Sequence, residues 1–571
     1  MEDPQVDRLF TEARAGRYSR RRLLNTGLRL GLATPVIMAL LDAAPEAGAA
    51  PTPGAQPALP APAQEGGDVF TNLITAGTED IDPHYSYSTL SSTVAMAVYE
   101  MLLQLKGEST SEFSPMLADS WETSADGTVY TFKLAPNVTF SDGTPCDAQA
   151  VKDSYTRWIE LAGSPVNVIT RFVDSPDKMK VVDPVTIEFH LGEPQPLFLS
   201  AMASQYGPSV ISPTAIKQNA TADDPYAHEF FKANAVGSGP YILVSNQINE
   251  GLVFKKFDNY HRGWENPPFD GVNFRVVPED ATRRQLIESG DGDAAAYNLT
   301  IDAITQMKGE PGINVVEYAS TAVSWVILNT AKLNLDARKG FSYAFPYDDV
   351  VNVVFKGLMK RNGPIADSVR AWDKDVFIYP VDLDKAKSLI TGAGFKEGDS
   401  FEYLCDANDQ REQTIAQLFQ ANVQKMGFQL QITSVDYATV ESTIFGDQPV
   451  EEKPDFMGGW GWWPDYNDPW NQLAPNFLKD QIGNGGGNGG GYANDRFEEL
   501  MAKSEKYKDE ADLVTWMKEI QNIVTEQDPP AIYYGQNVRY TVLRDDIQGF
   551  VPNPLYLDSF PFATMWRKKG S

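Results

Sequence analysis

Two spacings of apolar residues divide this chain into short elements. Period-two alternation predicts a strand over 68–76. Val94, Val98, Met101, Leu102 and Leu105 recur at helical spacing and predict a helix over 89–105. Residues 121–134 read as a hairpin, with Val129, Thr131 and Lys133 on one face and Tyr130, Phe132 and Leu134 on the other. The intervening Ala125-Asp126-Gly127 supplies a glycine for the tight turn. A helix follows over 148–160, with Asp147 placed to cap it. Strands are expected over 185–191 and 324–328, two more over 242–257 around the turn Asn249-Glu250-Gly251, and a helix over 280–289.

From about residue 382 the pattern changes. A helix over 384–394 closes on glycine, then come a strand at 401–404, a helix at 410–426 and a strand at 429–435. Regular alternation of strand and helix argues for an α/β lobe. Two further helices are expected at 494–508 and 513–526. Between them and the α/β run lies Gly483–Gly491, a glycine-rich stretch with a formal G-x-G-x-x-G match at Gly485, Gly487 and Gly490. A dinucleotide loop must follow a strand and open a helix. This one has polar, turn-rich flanks, so a flexible loop, and a flap over a nearby site, is the expectation.

The N-terminus reads as an address. Ser19-Arg20-Arg21-Arg22-Leu23-Leu24 resembles a twin-arginine export signal. An apolar stretch from Leu30 to Leu41 follows, short of the roughly 20 residues that span a bilayer. Ala47-Gly48-Ala49 is a small-x-small site of the kind signal peptidases cut. Residues 1–50 are therefore expected to be a signal peptide, and 51–67, rich in Pro and Ala, a semi-extended linker. The body is expected on the periplasmic or other extracytoplasmic side of the membrane.

Charge and composition narrow the function. The 571 residues carry a formal net charge of -29, while residues 1–66 balance seven basic against seven acidic side chains, so the excess acid lies in the body. Such a surface repels nucleic-acid phosphates, and no nucleic-acid partner is expected. Cys146 and Cys405, far apart, suggest neither a zinc site nor a disulfide framework. Four scattered histidines (84, 190, 228 and 261) show no metal-ligand spacing. Nucleophile-elbow and phosphate-loop motifs are missing. No catalytic residue, metal or cofactor is expected, and the chain is read as a non-enzyme acting as a monomer.

Several segments together carry a resemblance. Leu117-Ala-Asp-Ser-Trp121, Asp126-Gly127-Thr128-Val-Tyr130-Thr-Phe132-Lys-Leu134, Phe140-Ser-Asp142-Gly143-Thr144-Pro145 and Asp147-Ala148-Gln149-Ala-Val151 form one run of about forty residues. Asp80-Ile-Asp82-Pro83-His84, Val236-Gly237-Ser238-Gly239-Pro240-Tyr241, Asn259-Tyr260-His-Arg262-Gly263, Asp384-Lys-Ala386 with Ala393-Gly394-Phe395, and Trp462-Trp463-Pro-Asp465-Tyr466-Asn-Asp-Pro469 follow the same order. This series resembles the family 5 (cluster C) extracytoplasmic solute-binding proteins of ABC importers. One departure is local: Gly340 and Pro346 disfavour the long helix that opens the family's second lobe.

The resemblance implies an α/β, two-lobed periplasmic-binding-protein fold of type II with an extra inserted domain. Domain I would comprise 68–105, 190–318 and 535–571, domain II 106–189, and domain III 319–534. Solute would lie between domains I and III, and hand-over to an ABC permease would follow hinge closure. Closure is a population shift, because ligand contacts both lobes only in the closed form.

The densest candidate site is Gly458–Trp470, with four tryptophans in thirteen positions. Trp460, Trp462, Trp463 and Tyr466 offer apolar faces with polar tips, which suit either a ligand or simple packing. By resemblance, Asp465 pairs with a peptide's α-ammonium, and the stretch with Tyr85, Tyr87 and Thr89 bonds an extended ligand through its backbone. Trp325, at the start of the second lobe, and Tyr534, at the hinge, complete the candidates. An oligopeptide is the expected solute; a tryptophan-lined cleft leaves an oligosaccharide as the alternative.

Overall fold

The computed structural model describes residues 67–568 except 297, 298 and 484. The signal and nearly all of the linker therefore lie outside the described residues.

A single mixed sheet runs through the body. Its order is Gln429–Val435, Ser400–Asp406, Phe456–Trp462, Ile313–Leu328, Ala531–Arg544, Ala294–Ala296, Val69–Ile74, Gly271–Val276, Gly251–Lys256 and Tyr241–Gln247. Short Met359–Lys360 adds to the side of Ala531–Arg544. Two strands, of 16 and 14 residues, are long enough to serve both halves. They pair antiparallel from Ile313 with Arg544 to Ile327 with Ala531. The register shifts between Ala319 and Val323, and again between Ser324 and Trp325. Such irregularities bend a strand and raise its twist, so the pair crosses from one half-sheet to the other at a built-in bend. Only residues 324–328 of the longer strand are predicted from alternation. The remainder is missed because its burial changes along its length, from partly exposed to fully buried.

The second half-sheet follows the expected alternation. The helices Leu383–Gly392 and Gln410–Lys425 pack around strands Ser400–Asp406 and Gln429–Val435, with Phe341, Phe401, Phe419 and Phe456 in the shared core. A separate antiparallel sheet, Ala118–Thr123, Val129–Leu134, Thr186–His190 and Met179–Asp183, contains the expected hairpin. Gly127 sits at its turn with φ +72°. Asp147 accepts from the Ala150 N–H at 2.9 Å and starts the helix Ala148–Leu161. Both cysteines are free and buried.

Two expectations need correction, and a third is met with a local reason. The helix predicted over 89–105 ends at Val98, and Leu103–Leu105 is a short strand. Apolar residues beyond Val98 are buried for other reasons, so the spacing outruns the helix. The helix around Gly340 is short, as expected: it runs Leu335–Ala344 and stops before Pro346. A β-carbon on Gly340 would lie 2.6 Å from Ile390 Cγ1 and 3.0 Å from the Ala386 carbonyl. The glycine thus lets two helices touch, which offsets its poor propensity. The glycine-rich loop, finally, is packed rather than a free flap. Asn488 is buried and bonds the Leu478 and Tyr492 carbonyls at 3.0 and 2.9 Å, and a β-carbon on Gly490 would meet the Leu328 carbonyl at 2.3 Å. These glycines supply close approach rather than mobility.

Candidate functional site

A cavity of about 290 Å³ lies where the two half-sheets face one another. Tyr87, Thr89 and Tyr206 come to it from the first half; Ser324, Phe355, Arg411, Glu412 and the run Gly459–Trp463 come from the second. A larger cavity of about 780 Å³ adjoins it, sharing Tyr87 and Trp462 and reaching Asp465 and Tyr466.

Tyr87 reaches across from the first half. Its segment is anchored below by Asp82, whose carboxylate accepts two hydrogen bonds from Arg157 at 3.0 and 2.5 Å. Asp82 also accepts from the His84 N–H at 3.0 Å and contacts His228 Nδ1 at 3.1 Å. Its backbone carbonyl accepts from the N–H groups of Tyr85 and Ser86. Asp82 and His84 are fully buried, and Arg157 nearly so. Burial alone would raise the Asp82 carboxyl; the His228 hydrogen bond and the Arg157 guanidinium hold it well below the usual range. The Asp-Ile-Asp-Pro-His motif is thus a foundation for the segment that carries Tyr87.

Opposite it, the strand Phe456–Trp462 pairs with Ile313–Leu328 and delivers its tryptophans to the cleft. Trp460 is buried and donates Nε1–H to Asn476 Oδ1 at 3.1 Å; Trp462 donates to the Asn471 carbonyl at 3.0 Å. Trp463 is the most exposed of the three, at 37%. Beyond them Asp465, half-buried, accepts from the Tyr87 hydroxyl and, at 3.2 Å, from Asn471 Nδ2. Burial raises its carboxyl to about 6, against both of those hydrogen bonds. The Asp465 carbonyl accepts from Ser204 Oγ at 2.8 Å, a second tie to the other side.

Arg171, which no sequence motif singles out, fixes the turn that follows. It donates to Tyr466 Oη at 2.7 Å and to Asp468 Oδ2 at 2.9 Å, and its guanidinium lies 4.4 Å from the Trp470 ring centre.

Eight of the ten candidate residues come to these two cavities. Tyr87, Thr89, Trp460, Trp462, Trp463 and Tyr534 line the smaller, and Asp465 and Tyr466 the larger. Trp325 does not. It is 1% exposed and packs on Phe477 and Tyr533, because side chains alternate along a strand and its neighbour Ser324 takes the cleft face. Tyr85 also points elsewhere, with its ring 3.9 Å from that of His228, two residues from Tyr87 but outside both linings.

The residues missed from sequence are Tyr206, Phe355, Tyr437, Arg411 and Glu412. Arg411 and Glu412 begin the helix Gln410–Lys425, just past the carboxyl end of strand Ser400–Asp406. Ligands of open α/β sheets gather at such ends, so the turn at 406–412 was the available signal. Asp409 caps this helix and holds Arg411 through Nη2 at 2.8 Å. Glu412 Oε1 accepts from the Tyr534 hydroxyl at 3.2 Å. Burial foremost, with Asp409 adding, raises the Glu412 carboxyl to about 7.

Comparison with known proteins places this arrangement. Residues 112–484 match the family model for bacterial extracellular solute-binding proteins, family 5. The probable D,D-dipeptide-binding periplasmic protein of Escherichia coli is 30% identical over 500 residues, 86% of this chain and 92% of that protein. Heme-binding protein A of Haemophilus influenzae is 25% identical over 81% of this chain and 86% of its own. Among solved structures, a peptide-bound, ABC transporter-associated periplasmic binding protein from Helicobacter pylori superposes with a TM-score of 0.72 at 23% identity. That match covers 88% of this chain and 98% of that one, and it supports the type II binding-protein fold. With two half-sheets facing a pair of adjoining cavities, a matching family model over most of the body and a relative alike over nearly its full length, this chain belongs to the family 5 bacterial extracellular solute-binding proteins.

Proposed function

We propose that this protein captures a short peptide outside the cytoplasmic membrane and delivers it, as a monomer, to the permease of an ABC importer. The observation that carries this reading is the pair of opposite charges at the cleft. Asp465 offers a carboxylate suited to an α-ammonium, and Arg411 is the single basic side chain among the described residues lining the smaller cavity. A zwitterion of few residues fits such a site. The ligand would bridge the two adjoining cavities: Arg411 lines the one of about 290 Å³ and Asp465 the one of about 780 Å³, near or within the ~300–1,000 Å³ range usual for ligand pockets. The dipeptide-binding relative and the peptide-bound structure support the same class. Domains I and III, in the boundaries given above, would supply the two walls, and 106–189 the inserted domain that braces them.

An oligosaccharide has less support. It needs indole faces open for stacking, and Trp460 is buried with Trp462 partly so. Native mass spectrometry of the mature protein from its own host, followed by denaturation, distinguishes the two. Peptide masses are expected; hexose or pentose ladders would overturn the peptide reading.

Export by the twin-arginine route is part of this proposal. Replacing Arg20 and Arg21 with lysine is expected to leave the protein in the cytoplasm on cell fractionation. Unchanged export would refute the route.

A further inference from the structure

Arg171 bonds across the cleft rather than within its own body. It follows the short helix Asn167–Thr170, in the chain between two strands of the separate four-stranded sheet. That sheet's body is fastened to the first half. The N–H groups of Leu117 and Ala118 donate to the Met101 and Leu102 carbonyls, the Ser141 N–H donates to the Gly237 carbonyl, and Arg157 donates to Asp82. The polar partners of Arg171 lie on the other side. Nη1 donates to Tyr466 Oη and Asp468 Oδ2, and Nη2 to the Glu505 carbonyl at 3.2 Å. Arg171 lines the larger cavity, but both Nη groups are committed to these acceptors.

Two of them stand on one turn, residues 465–468, between strand Phe456–Trp462 and helix Pro469–Phe477. Each residue of that turn is held from across the cleft. Asp465 takes the Tyr87 hydroxyl on its carboxylate and Ser204 Oγ on its carbonyl. Tyr466 and Asp468 take Arg171, and Asn467 Nδ2 donates to the Thr110 carbonyl at 2.9 Å. The Asp468 tie is charged on both sides and shielded. Asp468 is fully buried: its Oδ1 caps its own helix at the Trp470 N–H, and its Oδ2 meets Arg171, whose side chain is 13% exposed. Such a pair is screened little by salt, and its charge-assisted bond is about twice as strong as a neutral one.

We propose that Arg171 is a positioning residue for solute capture. Its pair with Asp468 clasps the 465–468 turn to the opposite body, and the clasp forms only when the cleft is shut. Solute also contacts both walls only in that form. Apparent affinity is the closed-form affinity multiplied by the closed fraction, so a contact that raises this fraction tightens binding without touching the solute. The clasp lets the free protein close part of the time, and it gives the four-stranded body a part in binding. The peptide reading above enters only through the choice of probe.

Isothermal titration with Ala-Ala tests the clasp in the wild type, Arg171→Gln, Asp468→Asn and the double variant. Asparagine keeps an oxygen for the Trp470 N–H and so keeps the helix cap. Each single variant is expected to weaken binding about ten- to a hundred-fold, the size of a lost charge-assisted hydrogen bond. The double variant is expected to lose little more than either alone, because both changes break the same pair. In small-angle scattering, free Arg171→Gln is expected to show a larger radius of gyration than the free wild type, and saturating Ala-Ala to bring the two together. Unchanged affinity in Arg171→Gln, or equal radii in the free proteins, would overturn the clasp. Losses that multiply in the double variant would overturn it too, making Arg171 a direct solute contact. Arg171→Lys keeps the charge but not the planar fork and is expected to fall between; it carries the comparison if Arg171→Gln does not fold. A wild type that leaves Ala-Ala unbound would count against peptide capture, and the radii of the free proteins would still decide the clasp.

Discussion

Asp465→Ala is expected to weaken a peptide with a free amino terminus by roughly 2–5 kcal/mol, the cost of stranding one partner of a buried charge pair. The carboxylate is anchored for this task. Asn471 bonds both its side chain and its backbone N–H, at 3.2 and 2.8 Å, so little ordering remains when the ligand arrives. The Tyr87 hydroxyl donates to the same carboxylate from across the cleft, and an ammonium would share or displace that contact. The comparison that isolates the ion pair is an N-acetylated version of the same peptide. It should bind the wild type poorly and lose little more in the variant. An unchanged affinity for the free-amine peptide in Asp465→Ala would remove the residue from ligand recognition.

The pH profile follows from the same carboxyl, which burial raises to about 6. An ammonium partner favours the ionised form, so binding lowers that value. Affinity should fall as pH drops through 6, toward a limit of about ten-fold per unit from this carboxyl. That component should vanish in Asp465→Asn, while any step from Glu412, raised to about 7 at the same cleft, is left in place. A profile that stays flat from pH 5 to 8 would contradict the assignment.

Asp82→Asn is expected to destabilise the protein by about 3–5 kcal/mol, the range seen when a buried ion pair loses one member. Arg157 would be left 2% exposed with its charge unmatched, since Asp82 is the carboxylate that takes both its Nη1 and Nη2. Asparagine keeps one oxygen for the His84 N–H, but it turns an amide NH2 toward Arg157 Nη2 and His228, where the second carboxylate oxygen stood. The sign of the pH effect is fixed by the direction of the shift. Asp82 is held below its ordinary value in the fold, so its stabilisation is complete above the unfolded value near 4. It drains away as pH falls toward the lower folded value. The urea midpoints of the wild type and Asp82→Asn should therefore lie far apart at pH 7 and converge in acid. Coincident midpoints at pH 7 would show that the network contributes nothing.

Much of this was legible without a structure, and for local reasons. A cap needs only its own helix: Asp147 and the Ala150 N–H are three residues apart. A hairpin needs one glycine with positive φ at its turn, as at Gly127. The helix over 280–289 has the same limits in pattern and in structure. Motifs whose residues stand together, such as Trp462–Pro469, announce a site because a single strand and turn deliver them. Tertiary structure decided whatever depended on partners far away in sequence. Whether Trp325 or Ser324 faces the cleft depends on which face of the strand the cleft lies against, and that is fixed by its pairing with Phe456–Trp462 and Ala531–Arg544. Gly340 is tolerated in a helix only because Ile390 and Ala386 press against it. The glycine-rich run is rigid or loose according to whether the Leu328 carbonyl approaches, and it does. Arg171, Arg411 and Glu412 carry no motif, since a single charged residue looks the same on a solvated surface and at a cavity wall. Sequence by itself thus determined the family, the local elements and the Asp465 segment. Burial and the pairing of distant chain segments, which alone separate a ligand contact from a packed or solvated side chain, were decided only when the two half-sheets came to face each other.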